Sequence, residues 1–278
     1  MGGKINEFVH SQAVFSACLL SVVYISALTL SGVLFVMGMP QTIGLTLFTV
    51  CQLTLSFITI LIMRKLHIFD RNDFKFKNMV KGLLLGWLSI AFSIIIFLLK
   101  TLQLPEYSLI APSPLNLLIV VLHPFIGTGL LEEVLVRGLL LKILLKKKGH
   151  SKRGIINACV ISSAIFGLAH IVNLTHMAVS SVISQIIYAT AVGLFYAALY
   201  LRTKTLWVPI LLHGLFNLSS QVIDAITLLP DAQPRVDIDI VGFIVNTLLI
   251  AVPFLIAGLV LLRKVKPDEI TEKKNFVQ

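Results

Sequence analysis

Charge is scarce in this sequence. Of its 278 residues only 13% are Asp, Glu, Lys or Arg, about half the quarter that a soluble domain carries. Hydrophobic residues reach 57%. That balance excludes a chain folded in water. Apolar runs of roughly 20 residues suffice to cross a hydrocarbon core of about 30 Å. Such runs recur near 13–37, 41–63, 79–99, 115–145, 154–172, 177–201, 206–226 and 240–262. The expected fold is all-α: a polytopic membrane helix bundle of about eight transmembrane helices. One membrane domain fills 1–278, with no room for a separate soluble one.

Cysteine is nearly absent too. Cys18, Cys51 and Cys159 all fall within expected spans, where a small apolar side chain packs well, and they form neither a disulfide framework nor a metal spacing. The first apolar run is too long for a signal-peptide core and lacks a cleavage site, so it is expected to stay as a span. Asn6 stands where N-myristoylation wants Ser or Thr. Internal repeats and low-complexity tracts are missing, which counts against a transporter built from repeated, broken helices.

The net charge of +10 does not imply a nucleic-acid partner. Apart from Lys100, Arg137 and Arg235, every basic residue falls before span one or in the alternate loops 64–81, 142–153, 202–204 and 263–274. This is the positive-inside pattern of a chain with both termini cytoplasmic. The basic loops suit contact with the anionic face of a bilayer. Between them, 67–78 alternates charges with Phe69, Phe74 and Phe76, as expected of an amphipathic stretch on the inner surface or of a plain solvated loop. The outer loops include a turn at 38–40, the proline-bearing segment 100–114, and an acidic loop with Asp224, Asp231, Asp237 and Asp239.

Against this background, one turn of span four stands out. Glu132, Glu133 and Arg137 sit in an apolar stretch, where each ionisable group costs roughly 2.5 to 3.5 kcal/mol at mid-bilayer. Glu133 and Arg137 are four apart and can pair, acid first. Glu132 points about 100° away and is free to face a cavity. The span covers roughly 31 residues, or about 46 Å of helix. Pro124, Gly127 and Gly129 offer a kink, and Lys142 is placed to snorkel to the surface. Span five adds Phe166 and, four residues on, His170. Span seven adds His213 and, four on, Asn217. Any one of these reads as interhelical hydrogen bonding. His10, His67, His123, His150 and His176 lie in loops or at span ends, where an interfacial role is the default.

Together the polar groups permit water activation. A buried carboxylate is an effective general base, histidine can orient water or carry a proton, and a His/Asn pair one turn apart can stabilise an oxyanion. The same Glu and His side chains could hold a divalent metal such as zinc, but no His-Glu-x-x-His pair is present, and no cofactor is the favoured expectation. A serine mechanism fails because Ser163 and His170 stand about 10 Å apart along a helix, and no Gly-x-Ser-x-Gly elbow occurs. An aspartyl pair fails because every Asp lies in a loop or at a span end. Counted inward at about 1.5 Å per residue, Glu132 lies roughly 15 to 21 Å deep, His170 about 24 Å and His213 only about 10 Å. A recessed start to span seven would reconcile them.

The segments Glu132-Glu133-x-x-x-Arg137, Phe166-x-x-x-His170 and His213-x-x-x-Asn217 resemble the motifs of the CPBP group of intramembrane endopeptidases. This group is also called the Abi or CAAX-protease and bacteriocin-processing family, and is related to the type II CAAX prenyl endopeptidases. The resemblance covers 114–220, the expected catalytic core. It implies that Glu132 activates water, that His170 positions it, and that His213 and Asn217 line the oxyanion site. Glu133 and Arg137 would hold the motif helix, with Phe166 in support. The family has been described both as metalloproteases and as metal-independent glutamate proteases, and the spacing here favours the second. The implied partner is a membrane-associated peptide or protein substrate in a bacterial plasma membrane. A non-catalytic bacteriocin-immunity or scaffold protein is the alternative.

Overall fold

The computed structural model describes residues 2–36, 39–102, 113–226 and 239–271. Gly38 of the expected outer turn, most of the 100–114 loop, and Asp231, Arg235 and Asp237 lie outside them. The elements are α1 (Gly2–Ser11), α2 (Ala13–Val36), α3 (Gln41–Lys65), α4 (Met79–Leu85), α5 (Trp87–Leu102), α6 (Pro114–Leu122), α7 (Leu130–Glu133), α8 (Leu141–Lys148), α9 (Lys152–Ala169), α10 (Val179–Thr203), α11 (Trp207–Ile226), α12 (Ile240–Arg263) and α13 (Asp268–Thr271). Strands are absent among the described residues.

Among the described residues six helices are long and apolar enough to cross a membrane, and seven if the bent pair α4–α5 counts as one span. The expected eight included α11, whose apolar stretch Trp207–Ile223 is shorter than those six. The third expected span is not straight. It bends by 63° between α4 and α5, at Gly86, where a Cβ would run into the Leu212 side chain of α11. The absence of a side chain lets this bend lie against α11.

Helix α10 is the centre of the bundle: nearly every residue from Ala189 to Leu201 is buried. Its small residues admit neighbours at backbone distance. A Cβ on Gly193 would stand 3.2 Å from the Phe166 and Ser163 side chains of α9, and one on Gly167 of α9 would stand 2.6 Å from the Ile186 carbonyl, so the two helices pack at close range. Helices α2, α3 and α12 turn rows of Leu, Ile, Val and Phe outward. In a membrane protein those rows meet lipid rather than water.

Between α6 and α8 the chain stays helical for 35 residues but leaves the α ladder twice, as π-helix at His123–Gly129 and again at Val134–Leu140. The first follows from Pro124, which has no N–H to donate and whose ring crowds the carbonyl four residues back. The expected kink is thus a change of pitch. Single π turns inside α-helices cluster at functional positions, and these two flank Glu132 and Glu133.

The 67–78 segment is neither a surface helix nor a free loop. Asp70 accepts from the Asn72 N–H to open a 3₁₀ turn, Arg71–Phe74. Asp73 within that turn is fully buried. Its side chain takes Lys142 Nζ on one oxygen and the Tyr200 hydroxyl, 2.8 Å, on the other. Its backbone carbonyl accepts from Leu206 N–H and from the Thr205 hydroxyl. Lys142, expected to snorkel to the surface, is instead drawn into this clamp. The turn therefore roofs the start of α11, where the Phe74 carbonyl also accepts from Trp207 Nε1 at 2.9 Å.

Other contacts gather at the same end of the bundle. Lys146 meets His10 at 2.8 Å, Lys147 meets the Ser11 carbonyl, Lys152 bonds the Arg263 and Val265 carbonyls, and Arg202 bonds that of Lys264. The basic loops that the sequence assigns to one face do share one end. Cationic side chains there also satisfy carbonyls left open at helix C-termini.

Candidate active site

Three close approaches bring the motif residues together. Gly129 in the π segment and Gly214 on α11 face each other: a Cβ on Gly129 would lie 3.1 Å from the Ile210 carbonyl and 3.4 Å from the Gly214 N–H, and one on Gly214 would enter the Phe125 ring. Helix α11 is therefore seated directly on the motif helix, and His213 projects at the two glutamates. Helix α10 closes the opposite side with Gly193 and Tyr196.

Glu133 and Arg137 are fully buried and pair at 2.8 Å through Nη1 and Oε1. Arg137 Nη2 donates to the Gly193 carbonyl at 2.9 Å. The guanidinium lies 4.9 Å from the Phe166 ring centre and 5.8 Å from that of Tyr196, a cation–π sandwich that compensates part of its desolvation. The same Glu133 oxygen lies 2.8 Å from His213 Nδ1. A carboxylate can only accept, so Nδ1 carries the proton. His213 Nε2 then faces Glu132, with Oε2 at 3.6 Å, beyond a direct hydrogen bond. Glu132 keeps 26% of its side chain exposed while His213 keeps 9%. The first carboxylate is open to a ligand and the second is closed.

Phe166 links the two histidines. Its ring meets His170 at 5.1 Å and His213 at 5.9 Å, both edge-on. His170 ends α9, where its Nδ1 bonds the Phe166 carbonyl at 3.0 Å. Since that carbonyl accepts, a neutral His170 presents Nε2 as a free acceptor. Asn217 is half-buried, one turn beyond His213 on the same face of α11. Among the described residues no hydrogen bond reaches its side chain. The structure thus joins Glu132, Glu133, Arg137, Phe166, His170 and His213 by contacts, and leaves Asn217 aligned with them but untethered.

Tyr196 had no sequence signal, and His123 only its place beside Pro124. Tyr196 lies 5.6 Å from the His213 ring and fixes its hydroxyl on Ser89 of α5 at 2.8 Å. In the sequence it was one aromatic in a run of small residues. His123, expected at an interface, is only 7% exposed and bonds Thr49 at 2.9 Å. The change of pitch at Pro124 turns it inward. Among the described residues no group of three His, Cys, Asp or Glu side chains is spaced to share a metal ion.

Residues 114–219 match the family model described as Type II CAAX prenyl endopeptidase Rce1-like, an interval that holds every motif residue above. A Bacillus subtilis (strain 168) protein named "Putative membrane peptidase YdiL" is 34% identical over 100 residues, which make up 36% of this chain and 34% of that protein. The chain thus aligns with about a third of that relative's length. No solved structure matches.

Proposed function

We propose that this multi-pass membrane protein, whose residues 114–219 match the Rce1-like family model, is an intramembrane endopeptidase that cleaves a membrane-associated peptide or protein in a bacterial plasma membrane. The observation that carries this reading is the division of labour between adjacent carboxylates. Glu133 is consumed by Arg137 and His213, while Glu132 remains partly open with an imidazole nitrogen beside it.

In this reading a water held between Glu132 and His170 Nε2 attacks the scissile carbonyl carbon. Its proton passes to Glu132 as the oxyanion forms. Doubly protonated His213 keeps its Nδ1–H on Glu133 and offers its Nε2–H to the oxyanion, and the Asn217 amide adds a second donor. On collapse, the proton on Glu132 goes to the leaving amine nitrogen, and the water oxygen ends in the new carboxylate. Glu133 acquires a role beyond bracing the helix: by accepting from Nδ1 it sets which imidazole nitrogen faces the reaction, as the carboxylate of a Ser-His-Asp triad does.

The mechanism is proposed as metal-independent, with cleavage persisting after exhaustive chelation. The test is a comparison of membrane peptidomes from cells carrying the wild type and Glu132→Gln. A set of peptides whose new ends vanish in the variant, with equal amounts of folded protein, supports the reading. An unchanged peptidome removes Glu132 as the base.

A further inference from the structure

A second buried polar cluster lies between α3 and the first π segment. Its hydrogen bonds can be read in one direction only. The Thr49 hydroxyl donates to the Leu45 carbonyl at 2.7 Å, so at its 2.9 Å contact with His123 Nδ1 it must accept. His123 therefore carries its proton on Nδ1, and in the neutral ring Nε2 is an acceptor. Nε2 takes the Thr128 hydroxyl at 3.3 Å. Thr128 in turn accepts from Gln52 Nε2 at 3.3 Å.

The chain of donors ends on one unmet atom. Gln52 is 3% exposed, and its Oε1 is buried with no partner. Turning the amide over would only leave the nitrogen unmet instead, because Thr128 offers one contact to either atom. A buried amide oxygen without a donor is costly, and an ordered water is its usual partner. The amide lies hard against Gly127, which has no side chain to displace it. A Cβ on Gly127 would collide with Gln52 Oε1 and lie 2.9 Å from His123 Nδ1. Thr128 stands four residues before Glu132, one turn away along the motif helix.

We infer that Thr49, Gln52, His123 and Thr128 form an internal water-binding site in the membrane interior, and that it supplies water to Glu132. The supply role rests on the endopeptidase reading above; the occupancy does not. Each peptide bond cleaved consumes one water, whose oxygen enters the new carboxylate. A store on the motif helix meets that demand.

The experiment has two arms on the full chain in lipid nanodiscs. Water-edited solid-state NMR reads magnetisation passing from water to assigned side chains. The Gln52 side-chain amide should polarise well before Leu131, which is buried among apolar neighbours. Equal rates mean a dry cluster and overturn the proposal. In the second arm, heavy-oxygen water labels new carboxyl ends. Gln52→Met, which removes the acceptor at similar volume, should slow labelling about tenfold, the scale of one lost hydrogen bond. Gln52→Glu, which keeps an acceptor, should lose less. Thr128→Val serves if Gln52→Met does not fold. A hydrated Gln52 with wild-type labelling in Gln52→Met overturns the supply role. Undiminished labelling in Glu132→Gln overturns the endopeptidase mechanism instead, and leaves the hydration result standing.

Discussion

Among the described residues two carboxylates are buried completely, and they are treated differently. Asp73, at the basic end, has both oxygens occupied, by Lys142 and by the Tyr200 hydroxyl. Glu133, in the interior, receives two donors on one oxygen and none on the other. Its partner Arg137 leaves Nε unmet as well. Both acids belong to an ion pair, so pairing alone does not mark a functional site. Completeness separates them. A closed network fixes geometry, whereas an incomplete one beside an open Glu132 is poised to take a water or a substrate group. Unsatisfied buried groups are costly, and an enzyme site is where that cost has a use.

The sharpest way to break this contrast is at Glu132. Glu132→Gln keeps the shape and removes the base, so the cleavage rate should fall about 10²- to 10⁴-fold with the unfolding midpoint in mixed micelles unchanged. A loss of stability comparable to that of an Asp73 variant would mean that both acids are structural. Asp73→Ala is the converse. It removes the anionic partner of Lys142 and should cost roughly 3–5 kcal/mol in equilibrium unfolding, while the rate per folded molecule stays at the wild-type level.

Smaller effects sharpen the same line. Tyr200→Phe deletes a hydrogen bond to a buried charge and should cost about 1.5–3 kcal/mol, read from the same unfolding curves. Tyr196→Phe deletes only a neutral bond to Ser89 and should cost about 0.5–1.5 kcal/mol. Because Tyr196 also walls His213, it should shift the pH–rate profile, which Tyr200→Phe should leave in place.

What the sequence made legible follows this division. The spans were visible because an apolar run has one solution in a bilayer, and the motif residues because charge there is so rare. Pairing of Glu133 with Arg137 followed from helical spacing. The second contact of Glu133, with His213, did not, because it depends on how α11 is seated, and that is decided by Gly129 and Gly214 from different helices. Asp73 was misjudged for a related reason. Its loop reads as solvated until Lys142, Tyr200 and Thr205 are brought around it from three other elements. The π segments escaped notice because Pro124 signals disruption of the ladder but not its form.

The weakest expected effect lies at the wet edge of the basic end, where burial is partial. His10 on α1 accepts from Lys146 at 2.8 Å through Nε2. Burial first, and the Lys146 charge second, hold its pKa below the ordinary value. A group with a depressed folded-state pKa binds fewer protons when docked than when released. The docking of α1 it supports is therefore whole above the ordinary histidine pKa of about 6.5. It weakens as pH falls through that value toward the lowered one, since protonated His10 can no longer accept from Lys146. Hydrogen exchange of the α1 amides should quicken relative to α10 as pH drops from about 7.5 to about 5. His10→Phe should flatten that dependence. If α1 exchange is indifferent to pH in the wild type, the His10–Lys146 contact contributes nothing to docking. The gradient from costly interior pairs to inexpensive edge pairs would then end one step further in, at Asp73.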